Sequence, residues 1–183
     1  MRSSAPVRSE SEGREAEGMD EINVYIYTSG THQFKHKHIV GHFLVECIKD
    51  GNLYTYPPEN KDTFEVWENA TPARATAYLI TRAVNIVQYY LQLTEDIKTI
   101  MIYLQDCGAR PFMNKWPEKW EASGYLNAHG VYIKDRELWE QYNTHMHKLD
   151  GINIGFTTMP GSYQALMTDQ ATKKLREIEQ QTL

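Results

Sequence analysis

The stretch Ile22-Asn23-Val24-Tyr25-Ile26-Tyr27-Thr28, closed by Ser29-Gly30, decides the fold. Ile22, Val24 and Ile26 recur at every second position, the period of a strand with one face in a core. Working outward, Ile39–Ile48 (IVGHFLVECI) reads as a second strand, and Asp50-Gly51-Asn52 supplies turn residues into a third at Leu53–Tyr56. Pro57-Pro58 and the polar residues 59–62 break that strand, and the chain resumes around Phe64-Glu65-Val66-Trp67. Thr71-Pro72 then opens the clearest helix, with threonine as N-cap and proline at the first helical position. Ala73, Ala77, Ile80, Val84, Val87 and Leu91 recur at alternating steps of four and three, so this helix packs one apolar stripe on a sheet.

Ile97–Leu104 is a solid apolar run of strand length, expected at the centre of a sheet. A short helical stretch over Arg110–Trp120 follows, interrupted by Pro117. Asp135–Leu149 is amphipathic, aligning Leu138, Tyr142, His145 and Leu149. Ile152–Phe156 makes a last strand, and a closing helix over Ser162–Gln180 offers Leu166, Leu175 and Ile178 as inward contacts. Strands, helix, strand, helices, strand, helix is an α/β order without internal repeat.

Composition narrows the functional classes. The 183 residues suffice for one domain with a sizeable core, and 41% hydrophobic residues favour folding over disorder. The formal net charge is −5. Residues 1–20 hold three Arg against four Glu and one Asp, so residues 21–183 keep 16 basic and 19 acidic side chains. Nucleic acid would therefore meet a local patch rather than a uniformly attractive field. Cys47 and Cys107 fit reduced, buried thiols in an intracellular, cytoplasmic protein, and no apolar run is long enough to cross a bilayer. Residues 1–20 read as a disordered tail and 21–180 as the domain; the first 18 residues lack the apolar core of a signal peptide.

Several local sequences, in this order and spacing, resemble the ribonuclease H family over residues 21–180. Tyr27-Thr28-Ser29-Gly30 is similar to the family's tyrosine-threonine-aspartate-glycine, with Ser29 at the aspartate position. Thr71–Thr76 lies where the family has asparagines, an arginine and a glutamate, with Arg74 kept and Thr76 at the glutamate position. Leu104-Gln105-Asp106-Cys107 resembles threonine-aspartate-serine. Trp116, Trp120 and Tyr125, then Lys134–Trp139, resemble the tryptophan-rich segment and the helix start after it. Asp169 lies at the fourth carboxylate position. The resemblance implies a ribonuclease H-like fold, with a five-stranded mixed sheet, its first three strands antiparallel, and helices on both faces.

It also implies a chemistry that these residues only partly supply. Two-metal phosphodiester hydrolysis needs carboxylates holding two cations about 3.5–4 Å apart. Of the four implied positions, Asp106 and Asp169 keep an acid, while Ser29 and Thr76 offer neutral hydroxyls, poor Mg²⁺ ligands beside a carboxylate. The histidine of the family's catalytic loop is replaced by Met159 or its neighbour. The expectation is a pseudo-nuclease without a cofactor, in which Asp106 and Asp169 hold at most one weak ion; Mg²⁺ or Mn²⁺ enters only if the chain is active. Binding of an RNA–DNA hybrid, of other nucleic acid or of a protein partner is the leading role. An active hybrid ribonuclease with a rearranged site and a purely structural module of a larger assembly are the alternatives.

The binding candidates are Arg74, Phe34, Lys35, Lys37, Trp116 and Trp120. Phe34 with Lys35 and Lys37 forms a basic segment with a stacking ring. The tryptophans could stack bases, although at such spacing they also hold a small helix to its domain. His32, His36, His38 and His42 are dense enough for a metal, but Lys35 and Lys37 would repel a cation there, so a solvated basic hairpin is expected. Glu65 and Glu68 read as solvated acids on an edge strand.

Overall fold

A computed structural model describes residues 20–30, 38–58, 61–158 and 161–181. In chain order the elements are β1 (Glu21–Gly30), β2 (His38–Lys49), β3 (Asn52–Tyr56), β4 (Glu65–Glu68), α1 (Pro72–Leu93) and β5 (Thr99–Leu104). There follow α2 (Asp106–Met113), α3 (Trp116–Ala122), α4 (Arg136–Met146), a 3-10 turn (His147–Leu149), β6 (Asn153–Thr158) and α5 (Gly161–Gln181).

The sheet runs β3-β2-β1-β5-β6, with β1–β3 antiparallel and β5 and β6 parallel to β1. Asp50 and Gly51, at φ 53° and 79°, turn β2 into β3, the backbone for which an Asp-Gly pair is suited. Six strands are present where five are expected, and the sixth is β4. It pairs with His38–Gly41 of β2, while β3 pairs with Val45–Lys49, so the two lie end to end along one edge. Pro57 and Pro58 lack the amide needed to continue a ladder. Across the gap the Thr63 hydroxyl serves both groups of Phe43, accepting from its N–H and donating to its carbonyl at 2.8 Å each.

The alternation in β1 covers both faces. Ile22, Val24 and Ile26 join Ile100, Ile102, Leu104 and the buried side of α1 in the main core. Tyr25 and Tyr27 face the other way, onto Met167 and Ala171 of α5. Tyr25 stacks on Tyr103 at 4.7 Å and on Tyr163 at 4.4 Å. The buried Glu46 carboxylate beneath accepts from the Tyr163 hydroxyl at 2.7 Å and from Asn23 at 2.9 Å.

Four local expectations are corrected. The break after β5 lies at Asn114-Lys115, where Lys115 takes φ 57°, and Pro117 sits in the first turn of α3, where its missing N–H costs nothing. In α5 the sheet-facing residues are Tyr163, Met167 and Ala171, one helical stripe four residues apart; Leu166 lies off that stripe and is 46% exposed. Both cysteines are free, but only Cys47 is buried; Cys107 is exposed near the start of α2. Asp20, assigned to the tail, is anchored: it accepts from the Asp50 amide at 3.0 Å and the Thr94 hydroxyl at 2.6 Å. Among the described residues no helix is long and apolar enough to cross a membrane.

Candidate nucleic-acid interface and the carboxylate positions

Because β5 runs parallel to β1, the C-terminal ends of both strands open toward one end of the sheet, and α2 starts there. Thr28, near the end of β1, meets Cys107 of α2, oxygen to sulfur, at 3.6 Å. Ser29, the next residue, is half-buried and pairs with Val40 of β2. Asp106 opens α2 as an exposed carboxylate in its first turn.

Thr76 is brought to the same helix but not as an open ligand. It is 2% exposed, and its hydroxyl donates to the Pro72 carbonyl at 2.7 Å. A Cβ added to Gly108 would fall 2.5 Å from the Thr76 Oγ1 and 2.9 Å from the Pro72 oxygen, so α1 and α2 touch through this pair. Asp169 has another environment. It lies two residues from both Met167 and Ala171, the sheet-facing pair, and its side chain is 65% exposed and ion-paired with Lys173 at 3.4 Å. Thr76 and Asp106 are thus joined through α2, and Ser29 is linked to it through its neighbour Thr28. Among the described residues no hydrogen bond or ion pair joins Asp169 to any of them.

The donors present do not fit a cation pair. The Thr76 hydroxyl is committed to a carbonyl, Asp169 to a lysine, and Ser29 is neutral. Among the described residues no three His, Cys, Asp or Glu side chains come together to hold a metal. His38 is buried beside Glu68 at 3.8 Å. His42 bonds the Met167 carbonyl at 3.2 Å and stacks on Phe64, and burial pushes its pKa down to about 4. Glu65 is ion-paired with Arg82. Phe34, Lys35, Lys37, His32, His36 and Met159 lie outside the described residues.

Arg74 leaves the first turn of α1 toward Asp135, with Nε 3.6 Å from the carboxylate, sealed from solvent and without a hydrogen-bond partner. Trp116 is half-buried, with the Arg110 guanidinium 5.5 Å from its ring centre. Trp120 lies between Trp116 and Trp139, at 6.0 and 5.0 Å, and packs against the main core. A second cation–aromatic pair went unread in the sequence: Arg136 stands 4.1 Å over Tyr132, which is 57% exposed. Their spacing of four was the available signal. The segment is pinned by buried Asn143, whose amide donates to the Pro117 carbonyl and the Tyr125 hydroxyl at 2.9 Å each.

No protein-family profile and no curated relative matches the chain. Solved structures do. The foamy viral protease-reverse transcriptase in complex with dsDNA superimposes with a TM-score of 0.56 at 14% identity, covering 83% of this chain and 89% of that one. The same viral protein in complex with RNA/DNA hybrid gives 0.57 at 14% identity, over 82% of this chain and 19% of that longer one. A type 1 ribonuclease H, LC9-RNase H1, gives 0.49 at 14% identity, over 76% and 63%. With the sheet order above, the first two likenesses establish a ribonuclease H-like fold.

Proposed function

We propose that this ribonuclease H-like domain binds nucleic acid, an RNA–DNA hybrid first of all, and does not cleave it. The observation that carries the reading is Thr76. At a position where the resemblance implies a carboxylate, a neutral hydroxyl bonds its own helix and seals α1 against Gly108. A ligand there would have to break that bond and push the two helices apart. With Ser29 uncharged and Thr76 sealed, Asp106 and the exposed Asp169 are the two carboxylates left of the four positions. Two carboxylates without the other two hold Mg²⁺ weakly and do not clamp two ions.

Binding is supported by different residues. Arg110 over Trp116 and Arg136 over Tyr132 pair a phosphate-seeking cation with an aromatic face, the combination that tracks a nucleic-acid backbone and stacks its bases. The foamy viral protein of the same fold is known in complex with dsDNA and with RNA/DNA hybrid. The test pairs two measurements on one labelled hybrid: anisotropy for binding, and gel analysis of cleavage with millimolar Mg²⁺ or Mn²⁺. Expected are salt-sensitive binding, loss of several-fold in affinity on Arg136→Ala or Trp116→Ala, and no cleavage above background. Metal-dependent cleavage abolished by Asp106→Asn overturns the non-cleaving reading, and absence of salt-sensitive binding overturns the binding one.

A further inference from the structure

A second site lies away from the β1 and β5 strand ends, between α3, the C-terminal half of α4 and the start of β6. It is a cavity of about 220 Å³, below the roughly 300–1,000 Å³ of small-molecule sites. That volume suits one long side chain rather than a cofactor. Its walls are apolar: Met146, Leu149, Ile154 and Phe156.

Two polar features break that apolar lining. Tyr142 lines the cavity and is 2% exposed, yet its hydroxyl makes no hydrogen bond among the described residues. It is not among the sealed, unpaired atoms of the structure, so it opens to the cavity. Burial, with the nearby Glu118 carboxylate, raises its pKa well above the ordinary tyrosine value, and the group stays a neutral phenol. A ligand atom that enters the cavity and meets this hydroxyl makes a hydrogen bond that no described side chain supplies. The second feature is the rim, formed by Glu118, Glu121 and Asp150. His147 bridges two of these, 2.9 Å from Glu121 and 3.4 Å from Asp150, and these bonds raise its pKa. The rim therefore already engages a flat ring nitrogen group from the chain itself.

We propose that this cavity receives an arginine side chain of a partner protein. Arginine fits better than lysine for three reasons. Its planar guanidinium is weakly hydrated and can lie against the Tyr142 and Phe156 rings, and its several donors can serve the phenol oxygen and the Glu118 carboxylate together, with Glu121 beside them on the rim. Nucleic acid is disfavoured by the same carboxylates. The site is independent of the hybrid-binding reading, and either can fail alone.

The test is a titration of the ¹⁵N-labelled full chain with N-acetyl-arginine methylamide, with its citrulline counterpart as the uncharged match. Expected are saturable shifts confined to the amides of residues 118–121 and 142–156, at millimolar probe, with none from citrulline. Tyr142→Phe keeps the ring and should weaken binding at least threefold. Glu118→Gln with Glu121→Gln should abolish it. The proposal is overturned if the arginine probe produces no saturable shift, if citrulline binds equally, or if the variants bind as the unmodified chain does.

Discussion

The Thr76–Gly108 contact makes the sharpest test of how α1 and α2 are held, and Gly108→Ala is the perturbation. The new methyl would stand 2.5 Å from the Thr76 Oγ1 and 2.9 and 3.2 Å from the oxygen and carbon of the Pro72 carbonyl. The hydroxyl cannot swing aside freely, because it is bonded to that carbonyl at 2.7 Å, and the carbonyl itself is backbone in the first turn of α1. The helices must separate by several tenths of an ångström. Overpacking of this kind costs about 1–3 kcal/mol. Alanine returns about 0.8–1 kcal/mol through helix propensity, since Gly108 lies inside α2. The net loss is about 0–2 kcal/mol, a Tm decrease of up to roughly 8 °C for a chain of this size. Urea unfolding of Gly108→Ala, Thr76→Ala and the double variant measures the coupling. Removing the Thr76 hydroxyl relieves the closest clash but not that with Pro72, so the double variant should recover about 1 kcal/mol relative to additivity. If Gly108→Ala stabilises the chain, or the pair is additive, Thr76 is not sealed against α2 and remains open for a ligand.

Asn143→Ala should cost about 2–3 kcal/mol in chemical unfolding, because it strips the Pro117 carbonyl and Tyr125 hydroxyl of a buried partner. Stability should fall as pH drops from 6.5 toward about 4, because His42 stays neutral when folded and takes up a proton when unfolded. That gap is worth on the order of 3 kcal/mol, and His42→Gln should flatten this region of the profile. His147 acts with opposite sign: its raised pKa stabilises the fold below about 6.5 and the gain is lost as pH rises through the folded value, a small effect at an exposed site. Asp169→Ala should change stability by less than about 0.5 kcal/mol and leave hybrid binding unaltered, since it removes only an exposed i,i+4 ion pair with Lys173.

The sheet was legible wherever residues had to satisfy a period of two. Ile22, Val24 and Ile26 could be assigned to one face because each lies in the main core, and the apolar Ile100–Leu104 run announced an interior strand. The fourth strand was harder to read. Glu65–Glu68 has only four residues, and what holds it is its pairing with His38–Gly41, a contact between residues far apart in the chain. The phase of α5 misled for a related reason. Leu166 is more hydrophobic than Ala171, but the helix meets Tyr25 and Tyr27 along the stripe of Tyr163, Met167 and Ala171, and Leu166 lies off it. Hydrophobicity alone does not register the shape of the opposing surface.

The carboxylate positions show the same division more sharply. Sequence could say that Ser29 and Thr76 are neutral, a statement about residue type. Whether Thr76 is a vacant ligand position or belongs to the packing depends on how closely α1 approaches α2, and that is set by Gly108, thirty-two positions further on. A glycine in the third position of a short helix carries no sign of what it touches. Once the approach is known, the neutral residues cease to look like separate losses. A glutamate at position 76 would need room toward α2 and freedom from the Pro72 carbonyl, and the close Gly108 contact removes both. Restoring charge at Thr76 would therefore strain the helix pair before it gathered a cation. The residues proposed for binding are free of this constraint, because the pairs of Arg110 with Trp116 and Arg136 with Tyr132 lie on α2, α3 and the approach to α4.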